Sequence, residues 1–123
     1  MMIYYKQEAY DIVGAAMEVH RELGCGFSEK IYQESLAIEF TEVGIPFERE
    51  VTLHGIYKGQ TLKTEFVPDF ICFDNIIVEL KAVKELDDFH RAQAINYAKV
   101  CGCKLALLIN FGSTSLEYER FVV

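Results

Sequence analysis

Over residues 10–23 apolar side chains recur at Ile12, Ala15, Ala16, Val19 and Leu23, a spacing of three and four that gathers them on one face of a helix. Gly24-Cys25-Gly26 ends that helix. The pattern predicts a second helix over 28–43, with Tyr32, Leu36, Phe40 and Val43 on one stripe and Gly44 as its stop. After Pro46 the period changes. Residues 47–56 and 62–73 read as strands on either side of the turn signal Tyr57-Lys58-Gly59-Gln60. Asp74-Asn75 marks another turn, and 76–83 is a third strand. Asp87 is placed to cap a third helix running to about Cys101, where Gly102 supplies a left-handed last residue. That helix has a narrow face of Ala94, Ala98 and Cys101, which lets its backbone lie close to a sheet. Leu105–Asn110 is apolar almost throughout, as expected of a strand covered on both faces, and Gly112-Ser113 leads into an edge strand over 116–122. The order ααβββαββ predicts an α/β protein, a mixed sheet flanked by helices.

Composition narrows the class. A chain of 123 residues and 14.1 kDa is the size of one domain, expected here over 1–123. Its 51% apolar and 13% aromatic content fills a core without metal or disulfide staples, and its 25% charged residues exclude global disorder. No apolar run approaches the roughly 18 residues that span a bilayer. The start, Met1 to Glu8, has no basic segment leading into an apolar one, so a cytoplasmic protein is expected. In that compartment the four cysteines read as buried free thiols, with Cys101 and Cys103 too close across Gly102 for an ordinary bridge. Nineteen acids against twelve bases give a net charge of −7, which disfavours loose binding to phosphate backbones.

Candidate chemistry begins at Glu79-Leu80-Lys81. Strand alternation puts Glu79 and Lys81 on one face. A carboxylate beside an ammonium can hold a divalent cation and orient a water, although a plain surface ion pair has the same sequence. Pro68-Asp69 is the second candidate, because an aspartate is out of place in the run Phe66-Val67-Pro68-Asp69-Phe70-Ile71. A solvated aspartate on an edge strand beside a proline is the simpler account. Register decides whether the two acids meet. A strict two-residue turn at Asp74-Asn75 pairs Asp69 with Leu80 and puts Asp69 and Glu79 on opposite faces. They converge only if the loop has three or five residues or a bulge intervenes, which is the expectation here.

Pro68-Asp69 followed at nine residues by Glu79-Leu80-Lys81 resembles the PD-(D/E)xK signature of a large nuclease superfamily. Gly26-Phe27-Ser28-Glu29-Lys30-Ile31-Tyr32 is similar to the GxxExxY signature of one of its small-protein families, and Gln93-Ala94-Ile95-Asn96-Tyr97 to the QxxxY element of RecB-like members. The resemblance runs over essentially the whole chain and implies a restriction-endonuclease-like core. It further implies that Asp69, Glu79 and the Leu80 carbonyl bind Mg²⁺ or Mn²⁺, with Glu29 reaching the metal directly or through water. Lys81 is then the residue that orients or deprotonates the attacking water. Gln93 and Tyr97, one turn apart, position the nucleic-acid backbone or the lysine.

Each supporting residue also has an ordinary structural role open to it. Glu29 lies in a helix's first turn, where any carboxylate is favoured. Tyr32 heads an apolar stripe and reads as core. Tyr97 can be a core tyrosine and Gln93 a solvated one. His90, one turn before Gln93, is a lesser candidate for the same cleft, and an ordinary helix position is the expectation. Lys81, Lys84, Arg91, Lys99 and Lys104 form a candidate phosphate-facing set, while Glu117 and Glu119 read as charges guarding an edge strand. Metal-dependent hydrolysis of nucleic acid is the expected function, by a homodimer or with a protein partner supplying grip on the substrate. The alternative is a non-catalytic module of the same fold that binds or regulates another protein. A carboxylate-pair glycosidase is set aside because the chain has no tryptophan to platform a sugar.

Overall fold

The computed structural model describes residues 5–123; the opening residues 1–4, part of the stretch read for a leader, lie outside the described residues. Helix α1 (Lys6–Leu23) buries Ala9, Ile12, Val13, Ala15, Ala16 and Val19. It starts four residues before the apolar period does, because its first turn is polar. Helix α2 (Glu29–Val43) starts at its cap, where the Ser28 hydroxyl accepts from the Ile31 N–H at 3.4 Å. It ends at Gly44, whose φ of 78° suits glycine.

The two long strands expected after Pro46 are each broken in two. The first becomes β1 (Phe47–Arg49) and β2 (Leu53–Tyr57), and the second becomes β3 (Gln60–Phe66) and β4 (Phe70–Cys72). Glu50 takes a left-handed φ of 55° at the first break, and Pro68 sits in the second, where it has no N–H to give a ladder. The outer halves, β2 and β3, pair only with each other as an exposed arm. The inner halves join β5 (Ile76–Lys81), β6 (Leu105–Asn110) and β7 (Glu117–Val122) in a sheet of order β1-β4-β5-β6-β7. Only β5 and β6 in that sheet run parallel. With helix α3 (Asp88–Cys101) between β5 and β6, the order among the described residues is ααβββββαββ rather than ααβββαββ.

The sheet is covered on both faces. Ile76, Val78 and Leu80 pack with Ile12, Ala16, Leu36 and Phe40 from α1 and α2, while Ile77, Ala106 and Leu108 pack with Ala94 and Ala98 of α3. The alanines let α3 approach closely, as its pattern suggests. No described helix is long and apolar enough to cross a membrane.

Two smaller expectations are corrected. Cys72 is buried and its thiol is pushed up to about 12 by burial, but Cys25 is exposed, and Cys101 and Cys103 are joined as a disulfide across Gly102. The left-handed turn at Gly102 curls the chain so that their Cα atoms lie 5.5 Å apart, within the range a bridge spans. Glu117 and Glu119 lie on the edge strand β7, as expected, and each is held by a partner. Asn110 Nδ2 donates to Glu117 at 2.7 Å, and Arg91 Nε donates to both oxygens of Glu119 at 2.9 and 3.0 Å.

Candidate active site

The β4–β5 register pairs Phe70 with Val78, Ile71 with Ile77 and Cys72 with Ile76, leaving Phe73, Asp74 and Asn75 as a three-residue loop. Phe73 and Asp74 both have positive φ, 52° and 60°, which makes room for the extra residue. The count is odd, so Asp69 comes level with Glu79. Two crossed hydrogen bonds fix the pair. The Asp69 N–H donates to Glu79 Oε1 at 3.0 Å, and the Leu80 N–H donates to Asp69 Oδ2 at 2.8 Å. Pro68 is buried beside them and ends the β3 ladder, so that the Asp69 N–H is available to Glu79.

Glu79 is only 5% exposed. Burial, followed by the charge of Asp69, pushes its carboxyl up to about 8, while the Asp69 N–H and the Lys81 ammonium act the other way. The Asp69 carboxyl is also raised by burial, against the Leu80 N–H, the Gln33 amide and the Lys81 charge, which lower it. Two acids therefore share a dry pocket in which ionising both is unfavourable without added positive charge.

Lys81 follows Glu79 on the same face, and its Nζ donates to Gln93 Oε1 at 2.8 Å. Gln93 Nε2 in turn donates to the Tyr97 hydroxyl at 3.2 Å, and the Tyr97 ring stacks on Phe66 with centroids 4.6 Å apart. Asp87 and His90 close a reciprocal capping box at the start of α3, which sets the helix that carries both. Gln93 and Tyr97 are thus linked to Lys81 rather than solvated.

Glu29 stands apart from this cluster. Its side chain is exposed, yet enough protein crowds one side for desolvation to raise its carboxyl first of all. The Lys81 and His90 charges lower it and Asp69 raises it. Its electrostatic coupling to Asp69, Lys81 and His90 sets these groups in one neighbourhood. Among the described residues, no three His, Cys, Asp or Glu side chains converge as a metal cage. Tyr32 is core, as its stripe suggests: fully buried, stacked 4.6 Å from Phe111, with its hydroxyl donating to the Gly24 carbonyl at 2.6 Å and accepting from the Phe27 N–H at 3.3 Å. It ties down the turn from which Glu29 projects.

Two residues of the site were not singled out by sequence. Gln33, buried on α2, donates from Nε2 to Asp69 Oδ1 at 2.6 Å, while its Oε1 accepts from Arg49 Nε at 3.0 Å and Lys30 Nζ at 3.3 Å. Its signal was the i+4 spacing from Glu29. Asn110, fully buried at the end of β6, grips the chain after Lys81: Oδ1 accepts from the Val83 N–H at 3.0 Å and Nδ2 donates to the Val83 carbonyl at 2.9 Å. The basic set, by contrast, is dispersed. Arg91 is paired with Glu119 and Asp88, and Lys99 and Lys104 lie at the opposite end of the β5–β6 pair from Lys81.

Against known proteins, residues 6–121 match the family model of the PD-(D/E)XK nuclease superfamily. Among solved structures the chain is similar to SSO0001, at 14% identity and a TM-score of 0.59, over 96% of this chain and 59% of that one. An alkaline exonuclease (LHK-Exo) from Laribacter hongkongensis overlaps at 12% identity and a TM-score of 0.45, over 99% of this chain and 72% of that one. The first likeness bears on the fold alone, which is restriction-endonuclease-like, and the second is too loose to add to it. The chain spans 59% of the length of SSO0001. No curated protein matches it. Since the family match omits only the first five and last two residues of 123, the chain belongs to the PD-(D/E)XK nuclease superfamily.

Proposed function

We propose that the chain is a metal-dependent nuclease that hydrolyses phosphodiester bonds in nucleic acid, with Asp69, Glu79 and Lys81 at its centre and Glu29 in support. Within the superfamily we place it in the GxxExxY group, on the segment from Gly26 to Tyr32. The observation that carries the reading is the convergence of a half-buried and a buried carboxylate, Glu79 accepting from the Asp69 N–H and Asp69 from the Leu80 N–H, beside a lysine held by Gln93.

The donors suit a hard cation. Asp69 Oδ1, Asp69 Oδ2 and Glu79 Oε1 each accept a protein hydrogen bond. A carboxylate oxygen has two acceptor sites, so oxygen donors remain for Mg²⁺ or Mn²⁺. Asp69, Glu79 and the Leu80 carbonyl would hold the ion, and Glu29 would reach it directly or through water. When bound, the ion supplies positive charge to the phosphoryl oxygens and acidifies a coordinated water. Lys81 orients or deprotonates the attacking water and steadies the charge that develops on phosphorus-bound oxygen. Gln93 keeps the ammonium at the site and Tyr97 keeps Gln93 in place.

Mn²⁺ titration by calorimetry, with cleavage assays on DNA and RNA substrates, tests the proposal. One ion per chain is expected, lost in Asp69→Ala and Glu79→Ala. Cleavage is expected to fall about a thousandfold in Lys81→Ala. The net charge of −7 favours the other reading, a non-catalytic module serving a protein partner. Absence of both binding and cleavage up to millimolar metal would decide for that module.

A further inference from the structure

We propose that the β2–β3 arm guides a single-stranded portion of the substrate toward the site, the bases stacking along its apolar face. This rests on the nuclease reading above. The register pairs Leu53 with Phe66 and Tyr57 with Gln60, so alternation places Tyr57, Leu62 and Phe66 on one face. A Cβ on Gly55 would meet Leu62 Cδ1 at 3.3 Å, which puts Leu62 over the ribbon's middle. Tyr57 is 63% exposed at the tip and Leu62 is 45% exposed, while Phe66 stacks on Tyr97 at the root. Tyr97 is hydrogen-bonded to Gln93, and Gln93 to Lys81. At roughly 3.4 Å per strand residue this face runs about 20 Å from the tip to Phe66, with Gln60 and Thr64 between its apolar positions, and Tyr97 and Gln93 link Phe66 onward to Lys81.

Charge selects the occupant. Residues 53–66 carry Lys58 and Lys63 against Glu65, two minus one or +1, in a chain of −7. Lys58 Nζ sits 5.5 Å from the Tyr57 ring centroid, so the tip presents an aromatic face and a cation together. An exposed ring beside a lysine offers an unstacked base a stacking surface and its phosphate a cation. A duplex offers no such bases, since its rings are already stacked and only their edges reach the grooves.

The chain has no tryptophan, so Tyr57→Trp introduces a single reporter. In EDTA, where no cleavage occurs, a dT15 oligonucleotide is expected to quench its emission, saturating at the concentration at which labelled dT15 anisotropy saturates. Tyr57→Thr should weaken dT15 binding about tenfold, with Tyr57→Phe within twofold of wild type and a 15-base-pair duplex unaffected. Lys58→Gln should lower the salt slope by about 0.7. Binding of dT15 without quenching, or no binding of dT15 at all, overturns the proposal. Equal loss on the duplex would make the arm a groove reader, and emission that changes with protein concentration alone would give the face to a second copy; either result overturns it. If Tyr57→Thr fails to fold, quenching of the tryptophan and the affinity of Tyr57→Phe decide the matter. Metal-dependent cleavage that ignores Tyr57 removes the arm and keeps the nuclease. Quenching without cleavage at any metal concentration does the reverse.

Discussion

With Glu79 buried beside Asp69, the folded chain holds a proton on that carboxyl up to about pH 8, whereas an unfolded chain releases it near the ordinary value of 4.5. Between those pH values the native state binds more protons, so unfolding free energy falls as pH rises. The raised Asp69 carboxyl adds to the same slope. Melting in EDTA should therefore be highest near pH 5 and decline toward pH 9. Glu79→Gln should flatten the decline and raise stability at pH 8 by about 2 kcal/mol, a shift of several degrees. An unchanged slope in that variant would mean that other groups set the profile. Gln33 is the other residue with a sharp expectation. Gln33→Leu removes the donor to Asp69 Oδ1 and the acceptor of Arg49, which keeps only Glu50 at 3.6 Å among its described partners. Mn²⁺ affinity should drop ten- to a hundredfold while the far-ultraviolet spectrum stays native, since partners that orient a ligand matter on about that scale. Unaltered Mn²⁺ binding would reduce Gln33 to a packing residue.

At the scale of elements, what could be read from sequence was whatever one local pattern decides. Helices α2 and α3 carry caps and stops in their own residues, Ser28 and Gly44, Asp87 and Gly102, and β6 declares itself by being apolar on both faces. The odd β4–β5 loop was legible too, as one of the two ways, with a bulge, in which Asp69 and Glu79 can share a side. The broken strands were not. Glu50 turns left-handed where its N–H donates to the Asp69 carbonyl and its carboxylate takes Lys30 from α2, both long-range contacts. Gln33 was hidden for a related reason, since a glutamine on a helix reads as solvated until its partners are placed. Gly112 shows what the loop after β6 must allow: a Cβ there would lie 2.2 Å from the Val83 carbonyl and 2.4 Å from the Val83 nitrogen. Backbone cannot yield as a side-chain tip does, so Gly112→Ala should cost about 2–3 kcal/mol in denaturant unfolding and slow cleavage by shifting the segment after Lys81. A neutral Gly112→Ala would mean that the 82–83 segment relaxes freely.

The whole molecule divides into a rigid part and a compliant one, and that division is measurable by hydrogen exchange. Strands β5 and β6 are buried almost throughout and lie between α1–α2 on one face and α3 on the other, so their amides open only when the sheet does. The arm has two strands, nearly all exposed, and meets the body where β2 runs beside α3 and Phe66 stacks on Tyr97. A two-stranded ribbon is marginal by itself, and its hydrogen bonds face water. Its tip amides, from Ile56 to Leu62, should therefore exchange orders of magnitude faster than those of Ile77 and Leu107, with Phe66 in between because its ring is packed. The Asp69 and Leu80 amides, bonded to carboxylates at the edge of the rigid part, should slow further on adding Mn²⁺ if those carboxylates take the ion, and Asp69→Ala should abolish that response. Tip amides as protected as those of β5 would mean that another surface covers the arm in solution. Under the proposed function, fixed carboxylates and an admitted substrate strand are both required, and the contrast between sheet and arm is the exchange pattern that reading predicts.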